Sequence, residues 1–180
     1  MFNAHGYLEP GFHDMDSEEM SDAFVNQFPN STSRAPIFSG FKAHSEALTK
    51  IVSAYQQFIN GSFTTNKNDP GDVDLVVFAD MTLVDNLSPA DQEMLTALVA
   101  GKSTKDKFMC DAYFCVQLPE DHPQFPQTRA QRKYWMGEFG FDRVDIPKGI
   151  VRLTVASSPA GLSIAESVEA EPVCDSESAQ

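Results

Sequence analysis

Cysteine is scarce in this sequence, with three residues at 110, 115 and 174. That number and placement exclude the disulfide framework on which small secreted domains depend. Cys110 and Cys115 lie five apart in a predicted strand, so they point to opposite faces and neither bridge nor chelate. Histidine is equally thin. His5, His13, His44 and His122 are scattered and show no zinc-ligand spacing. No basic segment followed by an apolar run opens the chain, and no stretch approaches the ~20 apolar residues needed to cross a bilayer. A cytoplasmic protein without a membrane anchor is the expectation. Basic residues are also in deficit, 13 against 26 acids, for a net charge of −13. Such a surface argues against broad binding to a polyanion, so nucleic acid is not expected as a partner.

What is present is a respectable core. The 180 residues are 42% hydrophobic and include 14 Phe, enough for one ordinary domain. The charge is unevenly spread. Glu9, Asp14, Asp16, Glu18, Glu19 and Asp22 face only Arg34 in the first 34 residues, and Glu166, Glu169, Glu171, Asp175 and Glu177 have no base near the end. Residues 129–152 reverse the sign, with Arg129, Arg132, Lys133, Arg143, Lys148 and Arg152 against Glu138, Asp142 and Asp145. Most of these bases read as a solvated or paired face, with Arg143 and Lys148 the ones chosen to reach a phosphate.

Residues 1–15 read as turn-rich. Asp16 and Glu19 form a capping-box pattern ahead of a short helix over 17–27. A second helix starts near Pro36, and its apolar stripe is read through Ile37, Phe41, Leu48, Ile51, Val52, Tyr55 and Ile59. His44 falls on that stripe as a packed residue. A short strand over Phe58–Phe63, a loop of turn formers over 66–71, and a strong strand over Val73–Ala79 follow. Ser88-Pro89 starts another helix. Lys107–Leu118 is read as a strand with Asp111, Tyr113 and Cys115 on one face. Thr128–Phe139 is read as a helix whose Tyr134 and Trp135 are core or interface aromatics, and Ile150–Val155 as the last strand. From residue 158 the chain turns to Ser, Ala, Pro and acids and is expected to be a disordered acidic tail, leaving residues 1–157 as the single domain.

The pattern with chemical content runs from Gly61-Ser62 to Asp72-Val73-Asp74. Strand alternation sends Asp72 and Asp74 to one side and Val73, Leu75 and Val77 into a core on the other. Neighbouring carboxylates repel unless something positive joins them, and Mg²⁺ with a bound triphosphate would resolve that cost. Asp111 lies in an otherwise apolar strand and completes a triad if that strand adjoins Val73–Ala79. Three carboxylates, two metal ions and a triphosphate make a coherent set for phosphoryl or nucleotidyl transfer.

Those residues resemble the DNA polymerase beta-like nucleotidyltransferase superfamily. Its Gly-Ser turn, Asp-x-Asp and further Asp on a neighbouring strand match Gly61, Ser62, Asp72, Asp74 and Asp111. The chain also looks like a small bacterial and phage-associated branch, through Tyr7-Leu8-Glu9-Pro10-Gly11-Phe12-His13, Gly61 to Lys67, Tyr134-Trp135, Phe139 to Arg143 and Pro147-Lys148-Gly149. The likeness covers most of residues 7–153. It implies an α/β (α+β) fold, a mixed twisted sheet with helices packed mainly on one face. It implies an NTP substrate, Mg²⁺ held by Asp72, Asp74 and Asp111, and Ser62 with its turn holding the outer phosphates. Phe63 and Thr64-Thr65 depart from the usual residues after Gly-Ser, leaving Lys67 as the nearest loop base. Minimal members of the superfamily often pair with a helical partner in toxin–antitoxin or phage-defence modules. The expected activity is therefore transfer of NMP onto a protein or small molecule. The alternatives are a weakly active or inactive antitoxin-like regulatory subunit acting through an interface, and, third, transfer to RNA ends.

Overall fold

Five strands form one twisted mixed sheet in the computed structural model, which describes residues 1–156. They are β1 (Gly11–Asp14), β2 (Tyr55–Asn60), β3 (Val73–Asp80), β4 (Cys110–Gln117) and β5 (Gly149–Val155), in the spatial order β1-β5-β2-β3-β4. β2 runs antiparallel to both its neighbours, β3 and β5, while β1 pairs parallel with β5 and β4 parallel with β3. A parallel pair needs a crossover. The one from β3 to β4 passes through α3 (Met81–Asp85), α4 (Pro89–Leu98), a 3₁₀ turn at Lys102–Thr104 and α5 (Lys105–Phe108). The expected tail over 158–180 lies outside the described residues.

Both faces of the sheet are covered, which explains the near-continuous apolar run of β3. On one face Ile37, Phe38, Phe41 and Leu48 of α2 (Arg34–Thr49), with Leu95 and Leu98 of α4, pack on Ile59, Leu75, Val77, Val151 and Leu153. On the other, α6 (Phe125–Gly140) sets Trp135 and Phe139 against Phe58, Val76, Phe78, Cys115 and Ile150. The expectation of helices mainly on one face holds for α2, α4 and α5 but misses α6. Its inward stripe of Thr128, Arg132, Trp135 and Phe139 is half polar, so its periodicity is faint in the sequence. Cys110 and Cys115 belong to opposite cores, as strand alternation requires.

Several boundaries differ from the sequence reading. α2 stops at Thr49, where the amides of Ile51 and Val52 turn back onto the Leu48 carbonyl. Tyr55 and Ile59, read as helical, lie in β2, because pairing to β3 and β5 outweighs a helical spacing that fits them by coincidence. Lys107 and Phe108 belong to α5, not to the strand that follows. β1 falls in the segment read as turns; its strand conformation comes from pairing with β5, which no local pattern announces. Local signals fared well elsewhere. At the start of α1 (Ser17–Ser21) the Asp16 carboxylate accepts from the Glu18 and Glu19 amides while Glu19 accepts from the Asp16 amide, and Ser88 caps α4 ahead of Pro89.

One buried cation organises the loops beside the sheet. Arg34 has no solvent exposure. It spends all five N–H donors on the carbonyls of Phe24, Phe63, Thr65, Lys67 and Asn68, at 2.6–3.2 Å. Its guanidinium also lies 3.6 Å from the Phe28 ring centroid. Burial lowers its pKa to about 10, so it remains charged at neutral pH. Four of the five carbonyls belong to residues 63–68, so Arg34 fixes the course of the chain just after Gly61-Ser62.

Candidate functional site

Register places the carboxylates. Asp74 pairs with Asn60 of β2 on one side and with Asp111 of β4 on the other, so three polar side chains stand abreast across neighbouring strands. Adjacent strands lie about 4.8 Å apart, which keeps the two carboxylates close. Asp72 precedes Asp74 by two residues and shares its face. Asn60 is buried and donates to the Phe139 and Gly149 carbonyls at 2.7 and 3.0 Å, tying the site to α6 and to the start of β5. All of these residues lie at one end of the sheet.

Gly61 follows with φ +85°, a backbone conformation that side chains resist. The position of a Cβ there is taken by Asp74, whose Oδ2 would overlap it. The turn therefore closes over the Asp74 carboxylate, and only glycine permits it. Ser62 opens a 3₁₀ turn, Ser62–Thr64, with its side chain half-buried.

Crowding shows in the electrostatics. The Asp74 carboxyl is raised above its ordinary value by burial first, then by Asp72 and Asp111. Lys105 answers that charge. Its ammonium is ion-paired with Asp72 Oδ2 and lies 3.6 Å from Asp111 Oδ2. Its own pKa is raised, chiefly by the hydrogen bond to Asp72. Lys148 is half-buried nearby; burial lowers its pKa while Asp74 and Asp142 pull it back up. Asp111 is 5% exposed, and its Oδ1 is buried with no hydrogen-bond partner. Burial, then the Asp111 carboxylate beside it, raises the Tyr113 phenol.

Of the residues chosen from sequence, Gly61, Ser62, Asp72, Asp74, Asp111 and Lys148 come together. Lys67 and Arg143 are exposed and form no ion pair among the described residues, although Arg143 is close enough to repel Lys148. Sequence reasoning missed Lys105. Its only signal is a cluster of lysines at 102, 105 and 107 just ahead of the strand that carries Asp111. Among the described residues no three His, Cys, Asp or Glu side chains are gathered as a preformed metal cage. Lys105 is what stands between the acids here. A groove of about 590 Å³, lined by Phe41, Tyr55, Leu153 and Val155 among others, opens at the far end of the sheet and takes no part in this arrangement. Among the described residues no helix is long and apolar enough to cross a membrane.

Residues 1–154 match the model of DUF6932, a family of unknown function, and the chain belongs to that family. No curated protein and no solved structure matches it.

Proposed function

We propose that this member of the family is a Mg²⁺-dependent nucleotidyltransferase that moves NMP from an NTP onto a hydroxyl of a protein or small molecule. The observation that carries the reading is the Asp74–Asp111 register pair, with Asp72 on the same face and the Gly61-Ser62 turn closed over Asp74. Three acids with one close ammonium leave an excess of negative charge at a partly buried place, and an unpartnered Asp111 oxygen adds to it. That donor set, all carboxylate oxygen, suits a hard divalent cation. Asp72, Asp74 and Asp111 would hold it. Bound Mg²⁺ would supply neutralisation of the triphosphate and of the charge developing on the leaving group.

The remaining work falls to the chain itself. Ser62 and the backbone of its turn hold the outer phosphates, and Lys148, with Arg143 beyond it, offsets their charge. Asp111 takes the proton of the acceptor hydroxyl as its oxygen bonds to the α-phosphorus; the α–β bridging P–O bond breaks and pyrophosphate leaves with the electron pair. Asn60 and Gly61 position Asp74 and do no chemistry.

The test is Mg²⁺-dependent ATP binding followed by transfer of label from [α-³²P]ATP. Wild type should bind and transfer, while the Asp72→Ala/Asp74→Ala protein should do neither. Equal transfer by the double variant sinks the reading.

A further inference from the structure

Lys105 has no part in that chemistry, and its surroundings show what it can do. Its backbone is firmly anchored. The Gly101 amide donates to the Ala112 carbonyl at 2.7 Å, and the Thr104 hydroxyl bonds the carbonyls of Gly101 and Cys110. Phe108 is buried edge-on against His44, and the Met109 carbonyl accepts from the Val73 amide. The two strands that bear the acids and the turn that bears Lys105 are thus sewn together. The side chain is different. It is a four-carbon stem, 36% exposed, whose ammonium reaches back to Asp72 and Asp111.

We propose that Lys105 is a tethered stand-in for the divalent cation, holding the acids together until the metal displaces its ammonium. The inference rests on the metal-dependent reading above. Asp72 Oδ2 is already engaged by Nζ, and Asp111 is 5% exposed with one oxygen unpartnered. Those are the atoms a cation would use, and the two positive groups cannot share them without repulsion. With Lys105 in place the metal-free site sets its ammonium, and the Lys148 ammonium beside Asp74, against three carboxylates, so folding without metal avoids three bare neighbouring charges. Loading then requires the ammonium to swing away, which its exposed stem allows. Lys105 therefore weakens metal binding in return for metal-free stability, and it sets the Mg²⁺ concentration at which the site fills.

Removing the ammonium should separate these effects. Lys105→Met should melt at a lower temperature than wild type in EDTA. It should also bind Mn²⁺, followed by electron paramagnetic resonance, and Mg²⁺, followed by thermal shift, about ten-fold more tightly, the scale of one unit charge removed from a partly screened site. If Lys105→Met does not fold, Lys105→Gln is titrated in the same way. Wild type that binds Mn²⁺ with a Lys105 variant that binds no tighter overturns this inference alone, leaving Lys105 a structural ion pair or a nucleotide contact. Absence of divalent binding in both proteins overturns the metal-dependent reading as well.

Discussion

Two residues show how the candidate site depends on single side chains. Gly61 combines φ +85° with the Asp74 carboxylate in the place of a Cβ, so Gly61→Ala must both strain the backbone and push Asp74 aside. The expected loss is about 1–3 kcal/mol in urea unfolding at pH 7. In an Asp74→Ala background the collision is gone and only the conformational strain remains, so the same substitution should cost roughly 1 kcal/mol there. An equal loss in both backgrounds would mean that the turn does not close over Asp74. Arg34 acts farther away. Arg34→Met abandons five carbonyl acceptors around a fully buried position and should cost about 3–5 kcal/mol. Arg34→Lys brings three donors where five are needed and should recover less than half of that. Full rescue by lysine in the same unfolding experiment would show that charge alone matters.

At the scale of elements, the segment between Gly61-Ser62 and β3 is held by pins from the loop that leads into α2. Asp69 accepts from the Thr32 amide at 2.8 Å and from the Ser31 hydroxyl at 3.0 Å, and Asn68 donates to its other oxygen. The Ser31 hydroxyl in turn accepts from the Arg34 amide at 3.1 Å. The amide of Thr32 first, then the Asn68 side chain, hold the Asp69 carboxyl down at about 2. Its folded pKa lies below the ordinary value of 3.8, so the unfolded chain binds the proton more readily. The contribution is then fully present above about pH 4 and is lost as pH falls toward about 2. Asp69→Asn should be less stable than wild type at pH 6, and the gap should close between pH 4 and pH 2. Urea midpoints across that range check it. A gap independent of pH would assign the pinning to shape, with no part for the charge.

For the molecule as a working whole, the sharpest expectation sets Asp111 against Asp72. Asp111→Asn removes the proton acceptor and should lower transfer by roughly 10²- to 10⁴-fold. It should change Mg²⁺–ATP affinity much less than Asp72→Asn, which removes a more open carboxylate already engaged with a cation. Metal-free Asp111→Asn should melt no lower than wild type, because one of three crowded charges is gone. Single-turnover transfer, nucleotide binding and melting in EDTA measure the three quantities. Unchanged turnover in Asp111→Asn would place the proton acceptor elsewhere.

The sequence by itself determined the parts whose cause is local. The capping box at Asp16, the Ser88-Pro89 helix start, the β3 run and the common face of Asp72 and Asp74 follow from side-chain chemistry and strand alternation within a few residues. Only the tertiary structure decided what depends on residues distant along the chain. The end of α2 at Thr49 and the strand state of Gly11–Asp14 come from pairing with β5 and β3, since Tyr55 and Ile59 satisfy helical and strand spacing alike. Asp111 reaches Asp74 because β4 lies parallel to β3 in one register, and a slip of a single residue would send it to the opposite face. Lys105 could not be singled out in advance: nothing local distinguishes it from Lys102 and Lys107, and its role exists only where the crossover from β3 brings it back against Asp72.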